Sequence, residues 1–573
     1  MRVPNWIRKT AAIAAAVFLC VAVIAFVVLP PAPRETSGGG APGAWLGAFH
    51  VHSAASDGGG SRDEIARAAA AAGLRFVILT DHGDGTIEPA APEYLHGVLV
   101  LTGVEITTSR GHYAAFGLAR APYPLGGAPA AVIEDVERLG GFGVAAHPDS
   151  PKTDLRWRDW NAFAGGLELL NGDSAWRDEG VAGLLRAVGG YPLRPAQAIA
   201  GLIARPDAML ARLDALSRTR RIVGLAGADA HGRLPLTYDE GQSGRGWTIA
   251  VPSYAQAFRA TANLVDTASA PSGDAVKDGA SLLDAVRAGR VTAAVPALAS
   301  PIALAFTART AAGQAARMGD RLPAGPMTFD ARAADVQGDG QSGVRIRLMR
   351  DGRVAAEADG PAISHRAERA EDAAGVWRVE VTLAHRPQVP WLLGNPIVVA
   401  AIEGAGGGVA GPQPRNGFET TLELAGGAWA VEKHTASEAG VSLGADGARF
   451  DYALAGGTPS GQYGAAVRAT DSADAWTHVL LRARAGEPTR LWVQLRLSDS
   501  ETGQRWGRSI YLDRHSREFR LSLADFAPLE PGPSALRPVE TPIRSVLLVV
   551  DTVNSAPGRS GQIVIERLAL ERQ

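Results

Sequence analysis

The sequence predicts a multidomain protein with an N-terminal transmembrane helix, a (β/α)7 barrel, a β-sandwich and a C-terminal β jelly roll. The length of 573 residues is enough for about three or four domains of ordinary size. An uncharged apolar run stands near the start of the chain, and alternating strand and helix signals follow it. After residue 300, the helical period gives way to strands in which apolar and polar residues alternate.

Residues 1–30 have the pattern of a membrane anchor. The run at 11–29 carries no charge, and as a helix it would be about 28 Å long, close to the thickness of a bilayer's hydrocarbon core. Arg2, Arg8 and Lys9 precede the run, which predicts a cytoplasmic amino terminus. A cleaved signal peptide is the main alternative, although its apolar region is usually shorter, about 7–15 residues. The Pro- and Gly-rich linker at 31–44 disfavours a third alternative, a buried core helix.

Composition bears on localisation and on partners. Arginine far outnumbers lysine, and alanine and glycine are abundant, which is typical of a GC-rich bacterial genome. We therefore expect a single-pass protein of the bacterial inner membrane, with the bulk of the chain periplasmic or extracellular. The formal net charge of −2 argues against a nucleic-acid partner. Cys20 is the only cysteine, so a metal site in the folded part must use histidine and carboxylate ligands.

Residues 45–300 are predicted to form the barrel. Apolar runs indicate seven short strands, at Trp45–His52, Phe76–Thr80, Val98–Ile106, Tyr113–Leu118, Gly143–Ala146, Leu167–Leu170 and Ile222–Ala226. Ala-rich helical stretches lie between several of them, at 62–72, 130–139 and 195–217. This alternation predicts a mostly parallel sheet, and the number of units favours a closed barrel over an open sheet.

The rest of the chain is predicted to be all-β. Strand patterns on both sides of the Asp351-Gly352 turn indicate a small β-sandwich at 301–405. A Gly- and Pro-rich stretch at 406–417 is a second linker. About eight or nine further strand signals indicate a jelly roll at 418–573.

Two histidines stand close together in the first predicted strand, in the stretch GAFHVHSAASDGGGS at 47–61. Because alternate residues of a strand point to the same face, His50 and His52 project together. On its own, such a pair is more often a structural feature than half of a metal site. Its interpretation depends on the residues that follow.

Further histidines and acids come at the ends of later strands or beside glycine turns. In a parallel barrel the carboxyl ends of all the strands open onto one face, so these side chains are expected to converge. Histidine and carboxylate ligands without cysteine suit Mn, Zn or Fe(II). The residues concerned are Asp57, Asp81, His82, Glu105, His112, His147, Asp229 and His231.

These motifs resemble those of the polymerase and histidinol phosphatase (PHP) family of metal-dependent phosphoesterases. They occur in the family's order as HVHSAASDG, TDH, GVE, AHPD and DAH, between residues 50 and 231. The resemblance covers roughly residues 45–300. It implies a distorted barrel of about seven strands, up to three divalent metal ions and the hydrolysis of a phosphate ester on a small molecule.

The resemblance also implies which residues hold each metal. One metal would be bound by His50, His52, Glu105 and Asp229, and these four residues would activate the attacking water. Glu105 would bridge to a second metal on His112 and His147, although the family's motif at His112 is loose. The third metal would be bound by Asp57, His82 and His231. A hydroxide that bridges two metals would then be the nucleophile.

Residues around the ligands have weaker expected roles. Asp81 is expected to orient His82 rather than to bind metal. Asp149 has the same interpretation, with a solvated loop acid as the equal alternative. Candidate ligands for a substrate phosphate are Arg110, Arg156, Arg158 and Arg177, although each is more often a solvated surface arginine.

The final block resembles galactose-binding-like jelly rolls, which raises carbohydrate as a second partner. Trp429, Trp476, Trp492 and Trp506 could stack on sugar rings, but core packing is the more frequent role of such residues. Two alternatives to phosphoester hydrolysis stay open at this point. One is a protein that binds envelope glycan and uses the barrel as a scaffold, and the other is a metal-dependent hydrolase acting on a non-phosphate bond.

Overall fold

The computed structural model describes the chain from residue 29 onwards, with gaps. The described ranges are 29–37, 43–162, 164–235, 248–249, 251–338, 341–400, 420–457, 461–470, 472–497, 504–529, 537–539 and 541–572. The predicted membrane anchor, apart from its last two residues, and the predicted linker at 406–417 lie outside these ranges. Among the helices in the described ranges, none has the length and apolarity to cross a bilayer.

The first part of the chain alternates strands with helices. Its strands are β1 Arg34–Ser37, β2 Ala44–Val51, β3 Phe76–Leu79, β4 Glu93–Leu95, β5 Val98–Thr102, β6 Val104–Thr108, β7 Gly111–Phe116, β8 Phe142–Ala145, β9 Gly166–Asn171, β10 Val223–Ala230, β11 Leu234–Pro235, β12 Thr248–Ile249, β13 Ala262–Asp266, β14 Val291–Ala294 and β15 Ala299–Ser300. Its helices are α1 Arg62–Ala71, α2 Pro129–Arg138, α3 Gly172–Arg177, α4 Val181–Gly190, α5 Pro195–Ala200, α6 Asp207–Ser217, α7 Tyr254–Ala260 and α8 Ala275–Arg287.

The central strands pair in a closed path. Strand β2 pairs in parallel with β3, and β3 with β5. An isolated parallel bridge between His82 and Glu105 leads from the end of β3 to β6. The path continues through β7, β8, β9 and β10, and β10 returns to β2. The pairs of β7 with β6 and with β8 are antiparallel, so this strand departs from the mostly parallel arrangement that the sequence predicts.

Two predicted elements are divided in the structure. The predicted strand Val98–Ile106 is split between β5 and β6 at Gly103, where a Cβ atom would lie 2.4 Å from the carbonyl oxygen of Ala115. The predicted helix at 195–217 is split into α5 and α6, and Pro206 stands immediately before α6. A proline removes a backbone donor and disfavours helical geometry in the residue before it, which accounts for this break.

The next hundred residues are almost entirely strands, and most of them fall in two sheets. Their elements are β16 Leu304–Thr310, β17 Ala315–Arg317, β18 Arg321–Pro323, β19 Met327–Ala333, β20 Asp335–Gly338, β21 Gln341–Ser342, β22 Val344–Arg350, β23 Arg353–Asp359, β24 Ala362–Ala367, β25 Gly375–Leu383, β26 Arg386–Gly394, β27 Ile397–Ala400 and the short helix α9 Ala370–Ala373. Phe329 of one sheet stacks on Trp377 of the other, with ring centroids 4.0 Å apart.

This region is joined to the first part more closely than separate domains would be. Strand β26 pairs with β14, so the sheet runs on from one region to the other. Residues 34–37, which composition assigns to a linker, form β1 and pair with both β15 and β20. The apolar core is likewise shared between the two regions.

The last part of the chain consists of two antiparallel sheets that pack face to face. Its strands are β28 Thr420–Glu423, β29 Ala430–Lys433, β30 Glu438–Gly444, β31 Gly447–Ala453, β32 Tyr463–Ala469, β33 His478–Ala485, β34 Thr489–Arg496, β35 Arg505–Leu512, β36 Arg517–Ser522, β37 Ala527–Pro528, β38 Ser545–Asp551 and β39 Ser560–Arg572. One sheet has the order β30-β31-β39-β33-β36, and the other has the order β29-β32-β38-β34-β35-β37. Their facing side chains form a separate core.

The four tryptophans of this part are packed against other side chains. Trp476 lies in the core between the sheets, and Trp429 and Trp506 pack against that core. Trp492 is buried on the opposite face of its sheet, in a cluster that includes Ala128 from the segment before α2. These positions favour the packing interpretation of the four residues over exposed platforms for a sugar.

A buried ion pair joins the face of the sheet that carries Trp492 to α2 in the first part of the chain. The Arg490 side chain is fully buried and donates two hydrogen bonds to the carboxylate of Asp135 on α2, at 3.0 and 2.8 Å. It also donates to Glu134 and to the carbonyl oxygen of Ala131. Because breaking a buried pair leaves one charge without its partner, we expect this contact to be sensitive to substitution.

Arg490→Met is expected to destabilise the protein by about 3 kcal/mol, because the buried Asp135 carboxylate would lose both of its hydrogen bonds from Arg490 and keep Arg138 as its cation. The loss is measured as a lower midpoint of thermal or denaturant unfolding. The control is Arg514→Met, which breaks an exposed pair with Glu487 and is expected to cost less than about 1 kcal/mol. Equal effects of the two substitutions would contradict the prediction.

Candidate metal centre

Nine of the predicted residues meet at one end of the strand ring and form what we call the histidine–carboxylate cluster. The parallel strands β2, β8 and β10 contribute residues from their carboxyl ends, and β7 contributes His112 from its start because it runs the opposite way. The members are His50, His52, Asp57, His82, Glu105, His112, His147, Asp229 and His231. The expected convergence therefore takes place even though the residues are spread over some 180 positions of sequence.

The backbone is strained at three members of the cluster. His50, His147 and Asp229 have φ angles of 60°, 28° and 46°, in the left-handed region that residues other than glycine rarely adopt. Each of them stands at or just beyond the end of a strand. Such strain persists where the surrounding structure imposes it, and it is concentrated at functional sites.

Glu105 is the centre of the cluster and is almost completely buried. Its Oε1 atom lies 2.8 Å from Nδ1 of His112 and 2.9 Å from Nε2 of His147. Its Oε2 atom lies 3.2 Å from Nε2 of His50, 3.3 Å from Nε2 of His52 and 3.2 Å from Nδ1 of His82. One carboxylate thus faces two groups of imidazoles, one with each oxygen.

Asp229 completes the group around the first strand. Its Oδ1 atom is 3.5 Å from Nε2 of His50 and 3.4 Å from Nε2 of His52. Two ligands of one cation with bonds of about 2.1 Å lie roughly 3.0–3.4 Å apart at octahedral or tetrahedral angles. The separations around His50, His52, Glu105 and Asp229 are close to that range.

The third group lies nearer to solvent. Asp57 Oδ2 is 3.2 Å from Nε2 of His231 and 3.6 Å from Nε2 of His82, and Asp57 Oδ1 is 3.3 Å from Nδ1 of His52. The Asp57 and His82 side chains are 51% and 37% exposed, whereas those of His50 and His52 are at most 1% exposed. The cluster has a closed floor and an open rim at which a substrate could enter.

Several buried nitrogen and oxygen atoms that could bind a metal have no hydrogen-bond partner, which shows that the cluster fits metal ions. Within the described residues, Nε2 of His50, both ring nitrogens of His52 and Oε2 of Glu105 are buried and make no hydrogen bond. Leaving such atoms unpaired is costly unless a further group binds them. Four sets of three donors have their ligand atoms within 4.8 Å of one another: His50–His52–Asp229, His50–Glu105–His147, His52–Asp57–His82 and His82–Glu105–His112.

In the metal-free cluster, electrostatic interactions favour the charged forms of both the imidazoles and the carboxylates. Burial lowers the pKa of His52, but the carboxylates of Asp229 and Glu105, which lie 3.4 and 3.3 Å from its Nε2, outweigh burial and raise the pKa to about 10. For His50, burial is likewise outweighed by the charges of Asp229 and Glu168, and its pKa is raised. Burial raises the pKa of Glu105, but the imidazoles, led by His50, hold it well below its usual range. A bound cation would replace the protons that the imidazoles otherwise hold.

Asp81 and Asp149, the two acids expected to orient the metal ligands, have surroundings that differ from that expectation. Asp81 accepts hydrogen bonds from the backbone N–H and the hydroxyl of Ser53, both at 2.7 Å, and from the hydroxyl of Ser56 at 2.6 Å. Its described contacts thus fix the loop that carries Asp57 rather than the ring of His82. Asp149 is an exposed residue in the loop after β8, as its alternative interpretation has it.

The four candidate phosphate-binding arginines are placed around the loops. Arg156 and Arg158 are exposed and donate to the carbonyl oxygens of Ser150 and Ser109. Arg177 is paired with Asp173 on α3 and stacks on Trp176. For Arg110, the described hydrogen bonds are made by its backbone, so the structure gives none of the four a contact with the cluster.

Glu168 belongs to the site, although sequence reasoning did not select it. Its Oε1 atom lies 2.7 Å from Nδ1 of His50, and its Oε2 accepts from the backbone N–H of His147 at 2.6 Å and from the Asn171 side chain at 2.8 Å. Asn171 also donates to Asp229 at 3.3 Å. The signal was present in GLELLN, because a carboxylate inside a buried apolar strand needs a partner.

Glu168→Gln is expected to weaken the binding of Mn or Zn by about 10–100-fold, because the carboxylate orients His50 and strengthens it as a ligand. The dissociation constant is measured by competition with a chelating dye. Glu487→Gln, which removes an exposed carboxylate far along the chain, serves as the control. Unchanged affinity in Glu168→Gln would show that Glu168 is only part of the packing.

The fold and the site define a class of protein. The chain is multidomain and rich in β-sheet, and it carries candidate metal sites built from histidine, aspartate and glutamate side chains.

Comparison with protein-family models gives no match. Over 110 residues the chain is 35% identical to an uncharacterized protein of Methanocaldococcus jannaschii, a match that covers 19% of this chain and 64% of that protein. The match therefore spans less than two thirds of the length of this curated relative.

Two solved structures resemble different parts of the chain. A proposed metal-dependent phosphoesterase from Bifidobacterium adolescentis is 16% identical, with a TM-score of 0.23, and the match covers 38% of this chain and 93% of that one. A family 11 carbohydrate-binding module from a cellulase of Clostridium thermocellum is 15% identical, with a TM-score of 0.22, and the match covers 27% of this chain and 94% of that one.

Proposed function

We propose that this protein is a metal-dependent phosphoesterase of the PHP type. The observation that carries the proposal is the position of Glu105, whose two oxygens face separate groups of buried imidazoles at 2.8–3.3 Å. A carboxylate in this position can be shared by two cations. The convergence of the nine members of the cluster and the ring of strands around them support the proposal that they are the family's ligands on its distorted barrel.

The side chains of the cluster have distinct tasks in this proposal. His50, His52, Glu105 and Asp229 would hold one ion, His112 and His147 with Glu105 a second, and Asp57, His82 and His231 a third. Mn, Zn or Fe(II) bound there would acidify a water molecule and neutralise charge on the ester. Glu168 and Asn171 hold His50 and Asp229 in place, and the buried floor excludes bulk water from them.

Charge favours a phosphate ester as the substrate. Three divalent cations would carry more positive charge than the four carboxylates of Asp57, Glu105, Glu168 and Asp229 can neutralise. The surplus would attract a dianionic phosphate monoester more strongly than a neutral amide or carboxylic ester. The open rim at Asp57 and His82 gives a phosphorylated small molecule access to the ions.

Nitrophenyl phosphate and nitrophenyl acetate test this proposal because both release the same chromophore. We expect the Mn- or Zn-loaded protein to hydrolyse the phosphate ester and to leave the acetate at the background rate. Faster hydrolysis of the acetate would favour the alternative, a metal-dependent hydrolase acting on a non-phosphate bond. Absence of both activities in protein that contains its metals would contradict the proposal.

Carbohydrate binding by the C-terminal sheets is the second candidate function. It is favoured by the two antiparallel sheets of this part, which pack face to face in the manner of a jelly roll. A glycan array probed with the whole protein would detect this function.

We further propose that residues 11–29 anchor the protein in a bacterial inner membrane, with the described part on the side opposite the cytoplasm. The length of the uncharged run and the cations before it support this proposal. Protease treatment of spheroplasts would test it, because the described part should be degraded while the membrane stays intact.

A further inference from the structure

Helix α4 (Val181–Gly190) presents an apolar face to solvent. Val181, Leu185 and Val188 are 75%, 66% and 71% exposed, and Leu193 just after the helix is 67% exposed. The spacing of the first three residues places them on one side of the helix. Large apolar side chains exposed together mark an interaction surface, whereas scattered ones do not.

The helix that carries this face lies beside the point where the predicted membrane anchor ends. Leu29 and Pro30, the first described residues, line a cleft of about 340 Å³ together with Gly183, Arg186 and Ala187 of α4. Arg194, just after the helix, donates to the carbonyl oxygen of Pro30 at 2.6 Å. The end of the apolar run is thereby fixed against the segment that exposes the apolar side chains.

We propose that α4 and Leu193 form a membrane-contact surface that lies in the lipid boundary next to the anchor. The proposal rests on the proposed anchoring by residues 11–29. A chain that leaves a bilayer at Leu29 has the lipid surface within reach of α4, because the cleft places Pro30 against that helix. Arg186, which lines the cleft and is exposed, adds a cation next to the end of the anchor, where lipid phosphates would lie.

Orientation of the folded part is the consequence of this contact. A tether through one segment alone would leave the folded part free to rotate above the membrane. A second contact through α4 would hold the folded part in one orientation to the membrane, just as two weak membrane-binding elements together give stable attachment.

A fluorescent probe at position 185 tests the proposal in the full chain. Cys20 is the only native cysteine, so Cys20→Ser with Leu185→Cys allows one NBD label on α4. The matched control is Leu443→Cys in the same background, since Leu443 is 63% exposed in the C-terminal part. In lipid vesicles, the label at 185 is expected to shift to the blue and to lose roughly half of its emission to a lipid-borne quencher, and the label at 443 to do neither.

The native Cys20 reports on the anchor independently. Quenching at Cys20 without quenching at 185 would overturn the membrane-contact surface and leave the anchor in place. Failure of quenching at Cys20 would overturn the anchor and, with it, the inference. A blue shift at 185 that lipid quenchers do not reach would show that a protein surface covers the face, and this result would also overturn the proposal.

Discussion

Glu105→Gln is expected to reduce kcat/KM for nitrophenyl phosphate by roughly a thousandfold or more. The amide keeps the shape of the side chain, but it loses the charge and turns one of the two facing oxygens into a donor. That donor would point at imidazole nitrogens that lie 2.8–3.3 Å from the carboxylate. The two groups of imidazoles would then no longer be bridged by a shared anionic ligand. The number of metal ions bound per chain is expected to fall as well.

Glu88→Gln is the matched control for this substitution. Glu88 is an exposed residue of the loop after β3, and its replacement also removes one carboxylate. Activity and metal content of this variant are expected to equal those of the unmodified protein. Full activity of Glu105→Gln with its metals retained would refute the proposed centre.

The sequence was sufficient to predict the histidine–carboxylate cluster because its members follow a rule of topology. Parallel strands open their carboxyl ends onto one face, so that His50, His147 and Asp229 converge once their strands are recognised. The apolar runs at 45–52, 143–146 and 222–226 identified those strands because they are buried on both sides over most of their length.

Other features could not be predicted, since they depend on contacts distant in sequence. Strand β7 runs antiparallel to its neighbours, and only the pairing shows that His112 enters the cluster from the start of a strand. Strand β1 formed from an apparent linker because β15 and β20 supply hydrogen-bond partners more than 260 residues away. The partners of Asp81 and of Arg490 are also set by packing, which no local pattern records.

Removal of divalent metals is expected to abolish hydrolysis and to lower the unfolding temperature. A cation that binds the folded state alone stabilises it by about 4 kcal/mol when its free concentration is a thousand times the dissociation constant. A chelator removes this contribution and leaves the buried donor atoms of His50, His52 and Glu105 without the group that fits between them. Calorimetry and the nitrophenyl phosphate assay, each with and without chelator, measure the two effects.

The pH dependence of this removal has a definite sign. The pKa of His52 is raised to about 10 in the metal-free cluster, where the nearby carboxylates of Asp229 and Glu105 outweigh the effect of burial. A cation must therefore displace a proton from this ring at neutral pH. The affinity for metal is therefore expected to rise as the pH rises from 6 towards 9, and chelation to be easier at the acid end. Mn or Zn added back should restore both activity and unfolding temperature, while the unfolding temperature of Glu105→Gln should respond less to chelator and to metal. An unfolding temperature that chelator leaves unchanged in the unmodified protein, at every pH, would mean that the imidazoles and carboxylates hold no cation.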